Sequence, residues 1–370
     1  MALNDVIFEV TTGGLKKEAA GTDHISALVF DIAAPAAYSG KKVKSYNNLD
    51  AVVADGILKG DATYAEVYYH ASEFFRLAPG ATLELAFSLS DLLDLKQVEN
   101  GEIKQIGVFG TASIVKSTYQ AKADAFDTAH APVVIVQGVT GALGSADMST
   151  MLAHSVAAVV VGDGSGEGKI LADALSQPYI PAVGTVLGLL AKSQVHEHIG
   201  HVEQFNLSDG KEFETIILHD GTEATDAKID VLNTKQFVTF RKHVGIPGTY
   251  VTDTPTAIVS TNDYSTIENN RVINKAKREI RKVLVPHLNA ALTVSEDGLI
   301  SVGTVSFFES ETSGPLTIMQ RKGEISAYDV FIDPSQNVLS TGMLEIEVEI
   351  VPRGYARSIR VKIGYTLKVN

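Results

Sequence analysis

Short apolar segments alternate with helix-patterned segments through the first half of the chain, and this alternation restricts its fold more than any other feature. The apolar segments lie at residues 24–32, 82–89, 103–109, 133–137 and 156–161. The helix-patterned segments lie at residues 48–56, 63–77, 91–97, 117–128, 145–154 and 182–191. Strands that are apolar at nearly every position are buried on both faces, as in a sheet covered by helices. The sequence therefore predicts an α/β (α+β mixed) fold, with an α/β body that has a central sheet and flanking helices.

Composition limits the classes of function that are open to this chain. Of its 370 residues, 45% are hydrophobic, which is enough to bury a large core. The formal net charge of -13 argues against a general nucleic-acid-binding protein, which needs a basic surface. The absence of cysteine excludes disulfides and cysteine-based metal sites. We expect neither a signal peptide nor a transmembrane helix, because no basic-then-apolar leader and no long apolar run occurs.

The first residues have a strand pattern that is set apart from the body. Apolar side chains occupy alternate positions at Val6, Phe8 and Val10. A polar, glycine-containing segment follows at residues 13–23 and offers almost no apolar side chain to bury. Two interpretations remain open: the strand folds back onto its own sheet, or it pairs with another subunit by β-strand addition.

A segment at residues 263–285 predicts a long amphipathic helix. Its apolar stripe consists of Ile273, Ala276, Ile280, Val283 and Leu284. Its basic stripe consists of Arg271, Lys275, Arg278 and Lys282. The stripe has three interpretations: an ordinary solvated face, a nucleic-acid contact, or a docking face for an acidic protein surface. No aromatic residues are interleaved with the cations, which disfavours nucleic acid.

The end of the chain predicts β-structure with one apolar face. A first run alternates glutamates with apolar residues at Leu344, Ile346, Val348 and Ile350. A second run alternates basic residues with apolar residues at Ile359, Val361, Ile363, Tyr365, Leu367 and Val369. A turn signal at residues 352–354 lies between them, so the two runs predict an antiparallel hairpin with cross-strand charge pairs. The second run is the longer one, and its end should therefore overhang as an unpaired edge that needs a partner.

One segment invites a nucleotide-binding interpretation. Residues 162–169 read GDGSGEGK and follow an apolar strand, where backbone N–H groups and a helix N-terminus can bind phosphate. The spacing fails for a P-loop, because Asp163 stands where glycine is required and Ile170 stands where the magnesium-binding hydroxyl is required. A nucleotide-dependent α/β enzyme that uses Gly162–Lys169 stays as the alternative function.

Other catalytic and metal-binding patterns are incomplete. His196, His198 and His201 form a cluster, but the spacing of a zinc protease would need a histidine at position 200, which is glycine. No G-x-S-x-G nucleophile elbow is present. We therefore predict no catalytic residue, no cofactor and no metal site, and we predict that the chain is not an enzyme.

Three segments of the C-terminal third carry a family resemblance. They read IENNRVINKAKREIRKVLVPHL (residues 267–288), MQRKGEISAYDVFID (residues 319–333) and MLEIEVEIVPRGYARSIRVKIGYTLKV (residues 343–369). These segments resemble the C-terminal domain of contractile phage-type tail sheath proteins. The opening of the chain, LNDVIFEVTTGGL and then DHISALVF, is similar to short sheath proteins of the Mu-like and Bacteroidetes-prophage kind.

The resemblance implies a mechanical function. Sheath subunits of that family form stacked six-membered rings around an inner tube, and terminal arms link the subunits by strand exchange. It implies an N-terminal arm with Val6, Phe8 and Val10, and a C-terminal arm with Ile363, Tyr365, Leu367 and Val369. It also implies that Arg271, Lys275, Arg278 and Lys282 contact the tube.

The resemblance also implies a domain organisation and a set of partners. The domains would be an N-terminal arm and linker (1–21), an outer α/β body (22–254), a tube-facing helix-and-β-hairpin domain (255–357) and a C-terminal arm (358–370). The partners would be other copies of the chain, the inner tail tube protein, and baseplate and tail terminator proteins, with no nucleic acid and no membrane insertion. The protein would be located in a virion tail or an extracellular contractile particle that is assembled in the bacterial cytoplasm. Another tail or virion component is a further alternative.

Overall fold

A computed structural model describes residues 21–88, 102–110, 117–140, 143–296 and 298–365 of the protein. The chain divides into two compact units between Lys282 and Val283. We call them the N-terminal unit and the C-terminal unit. The predicted domain boundary lies earlier, between residues 254 and 255. Within the described ranges, no helix is both long enough and apolar enough to span a bilayer.

The N-terminal unit combines one large sheet with helices and two small two-stranded sheets. Its strands are β1 (Ser26–Val29), β2 (Val43–Tyr46), β3 (Leu83–Ala86), β4 (Gln105–Gly110), β5 (Val134–Val139), β6 (Val156–Val159), β7 (Val161–Asp163), β8 (Ile216–Leu218), β9 (Thr239–His243) and β10 (Ile246–Asp253). Its helices are α1 (Leu49–Ala54), α2 (Ala65–Leu77), α3 (Ser117–Thr128), α4 (Glu167–Ala174), α5 (Val183–Lys192), α6 (Asp226–Thr234) and α7 (Ile267–Leu284), whose last two residues pass into the C-terminal unit.

The large sheet has the strand order β2-β3-β1-β4-β5-β6. Strand β2 is antiparallel to β3, and the remaining neighbours are parallel. The five parallel strands, numbered among themselves, therefore follow the order 2-1-3-4-5 of a doubly wound α/β sheet. The residues of β1, β3, β5 and β6 are all buried, as their mainly apolar sequences predict, and the polar side chains of Ser26, Glu84 and Gln137 are buried with them. The predicted α/β body with a central sheet and flanking helices is confirmed.

Helix α5 lies at the centre of this body because small residues let it approach its neighbours. A side-chain carbon at Gly107 of β4 would lie 2.7 Å from Val183 of α5. A side-chain carbon at Gly184 would lie 2.3 Å from the carbonyl oxygen of His70 in α2. Close packing of this kind explains why an apolar, glycine-containing segment is a helix here despite the cost of glycine in helices.

The C-terminal unit is smaller. It contains α8 (Val302–Arg321), β11 (Ala327–Phe331), α9 (Val338–Thr341) and β12 (Glu347–Val351), and β11 pairs with β12 in an antiparallel two-stranded sheet. We call this sheet the ribbon. The small core of the unit is formed by Ile300, Val305, Phe308 and Ile332.

Two helix predictions fail for identifiable reasons. The helix predicted at 145–154 is only a 3-10 turn at Met148–Thr150. The Asp147 carboxylate accepts hydrogen bonds from the backbone N–H and the hydroxyl of Ser149, which favours a turn over a helix. Helix α8 was not predicted, because Gly314 and Pro315 lie inside it and both disfavour helix. The helix predicted at 91–97 lies outside the described residues.

Candidate assembly surfaces

The C-terminal arm residues that the structure describes are exposed. Ile363 is 96% exposed and Tyr365 is fully exposed, as are the flanking apolar residues Ile359 and Val361 to a large degree. Residues 359–365 form no strand with the described residues of the chain. Leu367 and Val369 lie outside the described residues, as do Val6, Phe8 and Val10 of the predicted N-terminal arm. An alternating apolar face in water is unfavourable, and this segment therefore has apolar surface available for a partner.

The ribbon is the second part of this surface. Its inner face consists of Tyr328, Val330, Val348 and Ile350, and these side chains are only half-buried. Its outer face is exposed and carries the carboxylates of Asp329, Glu347 and Glu349. In this two-stranded sheet, β11 and β12 each have one strand neighbour among the described residues, so each leaves one backbone edge open to strand addition.

The predicted hairpin between the two C-terminal runs is wrong. The run with the glutamates forms β12, as its alternation predicts, but it pairs with β11 and not with the described residues 359–365 of the second run. Val348 lies opposite Val330, and Ile350 lies opposite Tyr328. Strand β11 thus offers a matching apolar face for β12, and the run after Pro352 is left without that partner.

The structure confirms the helix predicted for α7. Most of its basic stripe, however, binds groups of the same chain. Arg271 is 3% exposed and lies against the end of α5. Its guanidinium donates hydrogen bonds to the carbonyl oxygens of Leu190 (2.7 Å), Ser193 (3.3 Å) and Gln194 (3.2 Å). Since the last carbonyls of a helix lack partners within it, Arg271 caps the C-terminus of α5.

Lys275 and Arg278 are also bound within the N-terminal unit. The Lys275 ammonium lies 2.6 Å from the Asp23 carboxylate, and Arg278 donates to the carbonyl oxygen of Pro132 at 3.0 Å. Burial alone would raise the pKa of Asp23, but Lys275, with Arg278 and Arg271, lowers it below its ordinary value. Asp23 lies three residues before β1, so these contacts join the end of the N-terminal linker to α7.

Only the last cation of the predicted stripe is mainly exposed. The Lys282 side chain is 69% exposed and lies 3.8 Å from Glu279. Arg281 beside it is exposed as well. Three of the four residues assigned to the tube contact therefore bind their own chain in this structure, and the tube contact itself stays a prediction.

The glycine-rich segment 162–169 spans the end of β7 and the start of α4. Its backbone donors are already occupied by carboxylates of the chain. Asp163 accepts hydrogen bonds from the N–H groups of Ser165 (3.0 Å), Gly166 (2.9 Å) and Gly168 (3.3 Å). The first N–H group of α4, that of Glu167, donates to the Glu212 carboxylate at 2.8 Å. The positions that would bind phosphate thus hold Asp163 and Glu212, which argues against a nucleotide there.

The pKa of Glu212 is shifted upward, first by burial and then by the neighbouring carboxylate of Asp163. Burial, followed by hydrogen bonding to Asp163, raises the pKa of Glu212 to about 7. A side-chain carbon at Gly166 would lie 2.1 Å from the Glu212 carboxylate, so a larger residue there would force that carboxylate to move. We call Asp163 and Glu212 with the loop they bind the carboxylate clasp.

The crevice that binds ligands in doubly wound folds is filled with rings here. It lies at the carboxyl ends of the strands where the strand order reverses, which is between β1 and β4. Phe30 follows β1 and stacks on Phe109 of β4 with 4.4 Å between ring centroids. The ring of His70 lies 4.4 Å from that of Phe109, and Phe87 packs on Phe30 at 6.3 Å. These four rings occupy the described part of the crevice.

Within the histidine cluster, both ring nitrogens of His198 bind groups of the same chain. His198 lies 3.0 Å from the Asp253 carboxylate at the end of β10, and its other ring nitrogen accepts from the N–H of Gly200. Among the described residues, no group of three or more potential ligands could hold a metal ion. Sequence reasoning did not identify Asp23, Glu212 or Asp253, because their partners lie far away in the sequence.

The whole chain can be compared with solved structures. A chain of the anti-feeding prophage baseplate gives a TM-score of 0.67 at 15% identity, covering 99% of this chain and 100% of that chain. A chain of the extracellular contractile injection system PVC sheath complex gives 0.65 at 12% identity, covering 99% and 98%. A chain of the contracted anti-feeding prophage helical sheath gives 0.64 at 14% identity, covering 100% of both. The protein has the fold of contractile tail sheath proteins, and the resemblance drawn from its sequence is confirmed.

Two family models match parts of the sequence. Residues 117–255 match the DUF2586 N-terminal domain, and residues 263–370 match the DUF2586 C-terminal domain. The chain therefore contains both domains of the DUF2586 family, in that order. The matches divide the chain between 255 and 263, whereas the compact units divide after Lys282. No curated protein sequence matches the chain significantly.

Proposed function

We propose that the protein is a structural subunit of a contractile tail sheath. It would polymerise as stacked hexameric rings around an inner tube and contract to drive that tube through a target envelope. The observation that carries this proposal is the match of the whole chain, end to end, with chains of two contractile particles. The filled crevice and the occupied glycine-rich loop disfavour the alternative of a nucleotide-dependent enzyme.

The linkage between subunits would use strand addition. The C-terminal arm, residues 358–370, would add as a strand to the sheet of a neighbouring subunit, and the N-terminal arm with Val6, Phe8 and Val10 would do the same. Two observations support this: the exposed alternating face at residues 359–365, and the open edges of the ribbon with its half-buried inner face. Main-chain hydrogen bonds formed in this way are independent of the side chains and can persist while the lattice changes shape.

The proposed partners follow from this function. They are other copies of the chain, the inner tail tube protein, and baseplate and tail terminator proteins. We place the tube contact at Arg281 and Lys282, the exposed cations at the end of α7. The particle would be a virion tail or an extracellular contractile particle assembled in the bacterial cytoplasm, with residues 22–254 as the outer body and residues 255–357 as the tube-facing domain.

Negative-stain electron microscopy of the purified protein tests the proposal. We expect long, regular polymers with a repeating ring, or short stacks that lengthen as the protein concentration is raised. A protein that stays monomeric at high concentration, in buffers of both low and moderate salt, would overturn the proposed function.

The arm assignment has a matched test. Ile363→Ser with Tyr365→Ser should give a folded subunit that fails to polymerise, because it removes apolar contacts made only in the assembly. The control is Leu152→Ser with Val244→Ser, which removes two exposed apolar side chains from the N-terminal unit. If the two double variants polymerise equally well, the described arm residues do not link subunits.

A further inference from the structure

The outer face of the ribbon carries an excess of one charge. Asp329 lies directly opposite Glu349 across the two strands, and Glu347 lies one step further along the same face. All three carboxylates are exposed. Like charges that face each other across a sheet destabilise it, so the free subunit has a ribbon face that favours a cationic neighbour. We call Asp329, Glu347 and Glu349 the acidic face.

The C-terminal run has the opposite charge in a matching pattern. Arg360, Lys362 and Lys368 occupy polar positions of the alternation, between the apolar residues of the arm. No acidic residue follows Glu349 in the sequence. The N-terminal run differs, because its polar positions carry Asp5 and Glu9. The two arms of one chain are therefore both apolar on one face but have opposite charges on the other.

We infer that the acidic face selects the basic C-terminal run of a second copy over the acidic N-terminal run, and fixes its register on the edge of the ribbon. The inference rests on the proposed strand addition. If the run adds with Ile359, Val361 and Ile363 continuing the inner face, its cations necessarily continue the acidic face, because side chains alternate along a strand. A slip by one residue would bring the cations to the apolar side and is strongly disfavoured.

The occupant is a second copy and not the same chain. In this structure the chain's own C-terminal run is exposed from Ile359 to Tyr365 and forms no pairs with β12. The charge pattern by itself would equally suit a hairpin within one chain. The geometry of the free subunit leaves both the acidic face and the run available, and polymerisation brings such surfaces together between copies.

Paired charge reversals test the inference. Glu347→Lys with Glu349→Lys should slow polymerisation at least tenfold, and Arg360→Glu with Lys362→Glu should do the same. The variant that combines all four substitutions should polymerise at close to the original rate, because the charges are again complementary. The matched control, Glu203→Lys with Glu296→Lys, makes the same change in net charge at exposed positions outside the ribbon and should have little effect.

Folding of the variants is checked by their melting temperatures. Glu349→Lys replaces a repulsive pair with Asp329 by an attractive one, so the reversed ribbon should melt no lower than the original protein. A loss of polymers together with an unchanged melting temperature supports the inference. If the reversal at Glu347 and Glu349 unfolds the protein, Arg360→Glu with Lys362→Glu still tests it, because these residues lie in the exposed run.

Mixing the two reversed variants distinguishes pairing within one chain from pairing between two copies. If the run pairs with a second copy, each variant supplies what the other lacks, and the mixture should form polymers that neither forms alone. Rescue in the combined variant but not in the mixture would show pairing within one chain and would overturn the inference. If all variants polymerise like the control, charge does not select the arm, although the proposed sheath function stands. If the original protein does not polymerise, both proposals fail.

Discussion

Two segments of this chain carry a stripe of basic residues, and the structure uses them in opposite ways. In α7, Arg271, Lys275 and Arg278 bind carbonyl oxygens and Asp23 within the N-terminal unit. In the C-terminal run, Arg360 and Lys362 are exposed. A stripe of cations in a sequence thus predicts a charged face, but the acceptors elsewhere in the chain decide whether that face is available to a partner.

The largest effect on stability is expected at the buried end of the α7 stripe. Arg271→Ala would leave the last carbonyls of α5 without donors and would open a cavity beside them. We expect the free energy of unfolding to fall by about 3 kcal/mol, measured by urea denaturation. Lys282→Ala on the same helix is the control and should change it by less than about 0.5 kcal/mol. Equal losses of stability for Arg271→Ala and Lys282→Ala would contradict the different roles given to the buried and exposed parts of α7.

A smaller loss is expected where the linker joins the body. Asp23→Asn keeps the shape of the side chain but removes the charge that pairs with Lys275, so we expect a loss of about 1–2 kcal/mol at pH 7. The pKa of Asp23 is lowered in the folded protein, and its contribution is therefore present at neutral pH and lost as the pH falls through that lowered value. The loss caused by Asp23→Asn should consequently shrink in acid, which a pH series of thermal melts would show.

The carboxylate clasp should have the opposite pH dependence. Because the pKa of Glu212 is raised to about 7, the folded state binds more protons than the unfolded state between roughly pH 4.5 and 7. The stability of the protein should therefore fall as the pH rises through this range. Glu212→Gln, which resembles the protonated acid, should be more stable than the original protein at pH 8 and nearly equal to it at pH 4.5. Glu203→Gln, at an exposed position, should show no such trend.

The smallest effect on stability is expected at the exposed end of α7. Arg281→Glu with Lys282→Glu should change the free energy of unfolding by less than about 0.5 kcal/mol. It should weaken binding of the sheath to its tube, measured by co-sedimentation, because opposite charges steer and stabilise such contacts. Unchanged tube binding would mean that this end of α7 is only a solvated surface.

Features that depend on residues close together in the sequence were predicted correctly, whereas features that depend on distant residues were not. Helix α1 lies within the predicted segment 48–56, and it begins after Asn48, whose side chain accepts from the N–H of Ala51 three residues away. The buried strands were recognisable because burial on both faces needs a continuous apolar run. The pairing of β12 was not, because two segments, β11 and the C-terminal run, offer suitable alternation and only packing chooses between them.

The candidate surface shows the same limit. Alternation predicted one apolar face at Ile363 and Tyr365, because that pattern is a local signal, and the structure shows both side chains exposed. The role of Arg271 depends on α5, which lies some eighty residues earlier in the sequence, and no local pattern reveals it. Helix α8 was missed for a similar reason, since buried contacts of Phe308 and Leu316 outweigh the cost of Pro315.

The ring-filled crevice between β1 and β4 has a mechanical consequence. In ligand-binding proteins of this topology the same position is a crevice that holds the ligand. Here Phe30, Phe109 and His70 pack against one another at that position, and closely packed side chains have low compressibility. The ring contacts join β1 and β4 to α2 through side chains, and this part of the body should therefore resist deformation.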